Sequence, residues 1–205
     1  MEESKQTIKK VEDGKEKGIS FSENFKHYNK AKESGFYFEC LWILYAMLED
    51  RVSAFLYYLG FTKTDNADQV TDCEKIRLQI RQMLNLAENK KKFSIGTLNQ
   101  KLSKIVDIFA WCDSVEPNAD YQKAVKKAIE RVSKNQDFLD ALKYMKDEWC
   151  DKRNQLVHAL FNKDPQAVIL ELQPLVEQGY MAVRKMDNAV KQLKRSKIRE
   201  RFKMG

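Results

Sequence analysis

A long apolar segment, residues 36–59, is the feature that most constrains how this chain of 205 residues can fold. Its only charged residues are Glu39, Glu49, Asp50 and Arg51, so a helix formed here is hydrophobic on nearly every side. Such a helix is stable only when neighbouring elements cover it. The segment therefore predicts a central buried helix that ends at Gly60, with aromatic residues such as Phe36, Trp42 and Phe55 in the core rather than stacked on bases.

The rest of the chain repeats its apolar residues at helical rather than strand spacing. Helical patterns cover residues 73–89, 97–112, 120–133 and 136–161, and one or two further helices are expected from 165 to about 201. Pro174 is a possible kink in the last of these. Only 7 glycines and 3 prolines are present, which is typical of long helices with short connections. We therefore predict an all-α bundle of five to seven helices.

Charge is distributed unevenly along the chain. The segment 184–203 holds nine basic and two acidic residues, a net +7, which equals the net charge of the whole chain. We predict a flexible N-terminal segment at 1–18, a helical domain at 19–183 and a basic C-terminal helix or tail at 184–205. Basic clusters of this kind favour phosphate backbones, and the candidate RNA contacts are Lys191, Lys194, Arg195, Lys197 and Arg199. The alternative is a solvated, frayed terminal helix.

One short motif combines groups that suit phosphodiester chemistry. Arg153, Asn154 and His158 lie within six residues of a predicted helix, and His158 is one of only two histidines. Asn154 and His158 are one helical turn apart, Arg153 lies beside their face, and Lys152 adds a further cation. A histidine titrates near neutral pH and an arginine offers a planar set of donors for phosphate. The alternative is a charged helix face whose histidine is a surface or interface residue.

The four cysteines, Cys40, Cys73, Cys112 and Cys150, form no CxxC pair and therefore do not predict a zinc site. Reduced, buried thiols are expected, and a catalytic pair of Cys150 with His158 is a weaker alternative. Neither a metal nor another cofactor is predicted. The charged first residues lack a signal-type segment, and no apolar run has the length of a membrane span. A cytoplasmic location without a membrane partner is therefore expected.

An R-N-x-x-x-H motif on a late helix of a small all-α bundle, together with an apolar earlier helix that carries Glu39, Glu49 and Asp50, resembles the HEPN family (higher eukaryote and prokaryote nucleotide-binding domain). The resemblance covers residues 21–195. It implies a HEPN-like helical fold and a homodimer in which two copies of the motif meet. Family members with this motif are typically metal-independent endoribonucleases of toxin–antitoxin, phage-defence or CRISPR-associated systems.

The resemblance also assigns roles to the motif. His158 would accept or donate a proton, Arg153 would stabilise charge on the phosphate, and Asn154 would orient the pair or bind a phosphate oxygen. An RNA 2′-hydroxyl would attack its own phosphate, so DNA would not be cut. The implied partners are RNA, a second copy of the chain, and an inhibitory antitoxin or defence-system subunit.

One departure concerns regulation. Some toxin members carry a tyrosine two residues after the histidine, where this chain has Leu160. That difference argues against an antitoxin that modifies such a tyrosine. Two alternatives to catalysis stay open. One is an inactive helical module that binds RNA or a protein, and the other is an adaptor in which Arg153 and His158 pair across an interface.

Overall fold

The computed structural model describes residues 14–62, 74–84, 96–134, 136–159 and 162–204. The helices are α1 Gly14–Glu33, α2 Tyr37–Tyr58, α3 Glu74–Met83, α4 Leu98–Ser114, α5 Asp120–Ser133, α6 Gln136–Tyr144, α7 Cys150–Ala159, α8 Pro165–Arg195 and α9 Ile198–Arg201. A π-helical turn, Met145–Trp149, joins α6 to α7 without a break. The described ranges contain no β-strand. The predicted all-α bundle is confirmed, with seven helical rods and the single-turn α9 in the described part of the chain.

The central buried helix is also confirmed. Helix α2 packs most extensively against the long α8, α1 packs along α2, and Tyr28 of α1 stacks on Tyr180 of α8. The chain leaves α2 through Gly60, whose φ of +84° is the left-handed conformation that glycine adopts most readily. Tyr121 of α5 donates a hydrogen bond of 2.8 Å to the carbonyl of Leu59, which fixes the same end of α2.

One side of α2 was assigned wrongly from the sequence. Phe55 is fully buried as expected, but Phe36 is 61% exposed and Trp42 is 58% exposed. The all-round apolar character of the segment gave no indication that one face lacks a cover. Trp42 therefore presents an aromatic surface on the outside of the bundle.

The predicted domain boundaries fall inside helices. Residues 14–18 belong to α1, so the boundary at 18 is not a chain break, and residues 1–13 lie outside the described ranges. Helix α8 runs without interruption across the boundary at 184, and Pro174 lies within it. Beyond α8, Ile198 and Met204 are 2% and 8% exposed, so the segment after α8 is packed rather than frayed.

The π turn positions α7 against α8. Trp149, at the end of the turn, is fully buried, and its indole N–H donates to the carbonyl of Leu175 at 3.0 Å. A methyl group at Gly179 would lie 2.9 Å from the same ring, so the missing side chain lets α8 approach the indole closely. A π turn adds a residue to one turn of a helix and so rotates the next helical residues about the axis. It thereby sets which face of α7 points towards α2.

Candidate functional site on helix α7

Arg153 is held in place by aromatic rings of α2 and by its own neighbour. Its guanidinium carbon lies 4.0 Å from the centre of the Tyr45 ring and 5.3 Å from that of Trp42. Its Nη1 donates to Oδ1 of Asn154 at 2.8 Å. A cation over an aromatic face is attracted by the ring quadrupole, and the amide restrains the guanidinium from a second side. The half-buried arginine therefore has a defined position between α2 and α7.

The charge of Arg153 is not neutralised by a carboxylate among the described residues. Nearby lysines differ in this respect, since Lys152 pairs with Glu148 at 2.7 Å and Lys101 pairs with Glu49 at 3.3 Å. A guanidinium has five N–H donors, and Asn154 accepts from one nitrogen only. The remaining donors suit the oxygens of a phosphate group. Burial raises the pKa of the Tyr45 phenol and Glu49 raises it further, which outweighs the lowering by Arg153, so the ring beneath the cation is neutral.

His158 lies one helical turn beyond Asn154, and its side chain is exposed. Within the described ranges the imidazole makes no hydrogen bond or ion pair, while its backbone carbonyl accepts from Asn162 Nδ2 at 3.3 Å. Arg153 and His158 are five residues apart and project about 140° from one another around the helix. The structure thus links Arg153 to Asn154 but shows no bond between Arg153 and His158. Leu160 lies outside the described residues.

Lys152 lines a groove between α7 and α8 with a volume of about 390 Å³. Its walls also carry Lys163, Gln155, Gln178 and Glu171. A hydrogen bond to Glu148 raises the pKa of Lys152, so the ammonium is charged at neutral pH. The predicted contact residue is therefore exposed beside the motif, but its charge is shared with a carboxylate.

Most of the predicted basic contacts lie far from the motif. Lys194 and Arg195 are exposed, whereas Lys191 pairs with the buried Asp187 at 2.6 Å and Lys197 pairs with Glu200 at 3.5 Å. Leu175 borders the groove beside α7. Because a helix rises 1.5 Å per residue, Leu175 and Lys194 are about 30 Å apart along α8. The groove beside α7 and the basic cluster therefore lie at well-separated positions along α8.

Arg199 does not belong to the basic surface. Its side chain is 9% exposed, and its Nη1 donates to the carbonyls of Thr62 at 2.8 Å and Tyr57 at 3.3 Å. Its guanidinium carbon also lies 3.9 Å from the centre of the Tyr57 ring. The prediction that Arg199 contacts RNA was wrong. The side chain is buried in the bundle, where it is bound to these two carbonyls and packed on this ring.

The three cysteines that the structure describes do not form a reactive site. Cys40, Cys112 and Cys150 are free and buried, and Cys73 lies outside the described residues. Burial, followed by the charge of Asp151, raises the pKa of Cys150 to about 11. A nucleophilic cysteine needs a thiolate that is accessible at working pH. The alternative pair of Cys150 with His158 therefore has little support.

Two residues of the site were missed by sequence reasoning. Tyr45 and Trp42, three residues apart on α2, lie against the Arg153 guanidinium. Their spacing of three residues places both rings on one face of the helix, and this is the sequence pattern from which a shared aromatic surface could have been predicted. The sequence does not indicate that this face meets α7.

Comparison of the chain with protein-family models, with curated proteins and with solved structures finds no match. Across the described ranges, no helix is at once long enough and apolar enough to cross a membrane. Within those same ranges, no group of three or more His, Cys, Asp or Glu side chains could hold a metal ion. The geometry of α7 and α2 is therefore the basis for assigning a function.

Proposed function

We propose that this protein is a metal-independent endoribonuclease whose active site consists of Arg153, Asn154 and His158, with two copies of the motif facing each other in a homodimer. The observation that supports this proposal most is that Arg153 has a fixed position and no neutralising carboxylate among the described residues. It is fixed by Tyr45 and Asn154, and the exposed imidazole of His158 lies on the same helix. The resemblance of the R-N-x-x-x-H motif to the HEPN family agrees with this assignment.

In the proposed reaction, the RNA 2′-hydroxyl attacks its adjacent phosphorus. His158 of one subunit takes the proton from the attacking hydroxyl, and the bond from phosphorus to the 5′-oxygen breaks. The imidazole of the second copy gives a proton to the departing 5′-oxygen, which leaves a 2′,3′-cyclic phosphate and a 5′-hydroxyl. Arg153 stabilises the charge that grows on the phosphate oxygens, and Asn154 keeps its guanidinium in position.

The biological setting belongs to the same proposal. An RNA-cutting enzyme of this type acts in the cytoplasm, in a toxin or antiviral defence system. An inhibitory antitoxin or a defence-system subunit controls its activity. Its substrate is RNA rather than DNA, since only RNA carries the attacking hydroxyl.

A cleavage assay in EDTA with wild type and His158→Ala tests the catalytic role. Removal of a general acid–base group is expected to slow RNA cleavage by about 100-fold or more. His27→Ala is the matched control, because His27 is the other histidine and is also exposed. Cleavage that is unchanged in His158→Ala would overturn the proposal. The same assay on Cys150→Ala, which should cut like wild type, tests the alternative nucleophile.

A second candidate function is an inactive module that binds RNA or a protein. The contact of Arg153 with Tyr45 favours it, because a cation over a ring also joins two helices structurally. In that case neither wild type nor His158→Ala cleaves RNA. Salt-dependent RNA binding by both proteins would then identify an RNA-binding module, and its absence would leave a protein-interaction role.

A further inference from the structure

The three tryptophans of the chain differ sharply in exposure. Trp149 is fully buried and Trp111 is 8% exposed, whereas Trp42 is 58% exposed. Exposure of a single large apolar side chain is ordinary, and Leu170 is 73% exposed. What distinguishes Trp42 is its position, because its exposed ring lies beside the Arg153 guanidinium.

Trp42 lies beside the Arg153–Asn154 part of the motif. The guanidinium carbon of Arg153 lies 5.3 Å from the centre of the Trp42 ring, and Asn154 accepts from the same guanidinium. An exposed ring therefore lies beside a cation that uses one of its nitrogens for a hydrogen bond within the described residues. A nucleotide carries the two complementary groups, a flat base and a charged phosphate, next to each other on one sugar. Base stacking on an aromatic ring together with phosphate contact by arginine is how proteins hold single strands.

We propose that Trp42 is a stacking platform for one unpaired base of the substrate, namely the base next to the phosphate that Arg153 holds. This inference rests on the proposed function and adds a substrate class, single-stranded RNA or an unpaired loop. Inside a duplex, both faces of a base are already stacked. The site therefore selects unpaired RNA and tolerates any base, since every base has a π-face.

The surrounding charges fix how the strand lies. Glu39 is exposed and stands three residues before Trp42, so it repels phosphates from that end of α2. Glu49, on the next turns of α2, is paired with Lys101. In this arrangement the phosphate lies at Arg153 on the α7 side and the base lies over Trp42 on α2.

The test uses a single-stranded oligouridylate with 2′-O-methyl sugars, which lacks the attacking hydroxyl and cannot be cut. Stacking on Trp42 should quench the protein's tryptophan fluorescence, because the other two tryptophans are buried and constant. An abasic strand of equal length is the ligand control. Trp42→Ala should weaken oligouridylate binding by about tenfold or more, and Trp42→Phe should retain most of the affinity.

Phe36→Ala is the matched protein control, since Phe36 is 61% exposed just before the same helix and its ring does not lie against the Arg153 guanidinium. It should bind like wild type. The inference fails if Trp42→Ala binds the strand as wild type does, or if the abasic strand quenches equally. It also fails if acrylamide cannot quench Trp42 in the free protein, because a second copy would then cover the ring.

The outcomes separate this inference from the proposed function. If RNA is never cut but quenching and the Trp42→Ala effect persist, base stacking stands and the catalytic proposal falls. If cleavage depends on His158 while Trp42→Ala binds and cuts normally, the catalytic proposal stands and the stacking inference falls.

Discussion

Two arginines of this protein rest on tyrosines of the same helix, yet their surroundings differ. Arg153 lies 4.0 Å from the centre of the Tyr45 ring, and Arg199 lies 3.9 Å from that of Tyr57. Arg199 is almost fully buried and donates to two main-chain carbonyls. Arg153 is half-buried and, among the residues that the structure describes, donates to a single side-chain amide.

The comparison shows that the ring contact does not decide what such an arginine does. Arg199 donates hydrogen bonds to carbonyls in the interior, which gives it a structural role. Arg153 keeps donors for an anion, because its acceptor among the described residues is the neutral oxygen of Asn154. Burial and the supply of acceptors therefore separate a structural arginine from a candidate catalytic one.

The largest expected effect is the loss of RNA cleavage that Arg153→Lys causes. Lysine keeps the positive charge but loses the planar set of donors, so RNA cleavage should fall by about 100-fold. The free energy of unfolding should change by less than about 1 kcal/mol, since the lost ring contact is exposed on one side. Parallel cleavage and urea-denaturation measurements check both. A large loss of stability with normal cleavage would place Arg153 in the same class as Arg199.

Next in size is the effect of Arg199→Ala on stability. Its removal leaves the carbonyls of Tyr57 and Thr62 without this donor in the interior, so the free energy of unfolding should fall by about 2 kcal/mol. The fraction that stays folded should cleave RNA at the wild-type rate. Arg201→Ala is the control, because Arg201 is exposed on α9, and its effect should stay within about 0.5 kcal/mol. Equal stability of the two variants would contradict the structural role of Arg199.

The smallest effect is expected from replacing both Lys194 and Arg195 by alanine. These exposed cations lie about 30 Å along α8 from the groove beside the motif, so only longer RNA can reach both. Binding of longer RNA at low salt should weaken by roughly tenfold, with a shallower salt dependence, while shorter RNA should bind unchanged. The control variant replaces Lys123 and Lys127 by alanine. Both lysines are exposed on α5, and this variant should bind RNA like wild type. If short RNA loses affinity equally, the two regions act as one surface.

The helices were predictable because periodicity is a local property. Helix α5 begins and ends where its pattern does, and α2 was recognisable from its unbroken apolar run. The environments of Trp42 and Arg199 were not predictable, because they depend on residues distant in the sequence. Arg199 meets carbonyls 137 and 142 positions away, and Trp42 is exposed because no helix covers that side of α2 among the described residues. The motif residues could be named, but their partners on α2 could not.

The pairing of α2 with α8 has a consequence for how the chain is made. On the ribosome, α2 is synthesised well before α8, and every helix from α3 to α7 is made in between. During that interval the most apolar helix lacks the neighbour that covers most of it, and unprotected hydrophobic surface is prone to aggregation. We therefore expect nascent chains that stop short of α8 to be bound by chaperones through α2 and released once α8 is complete.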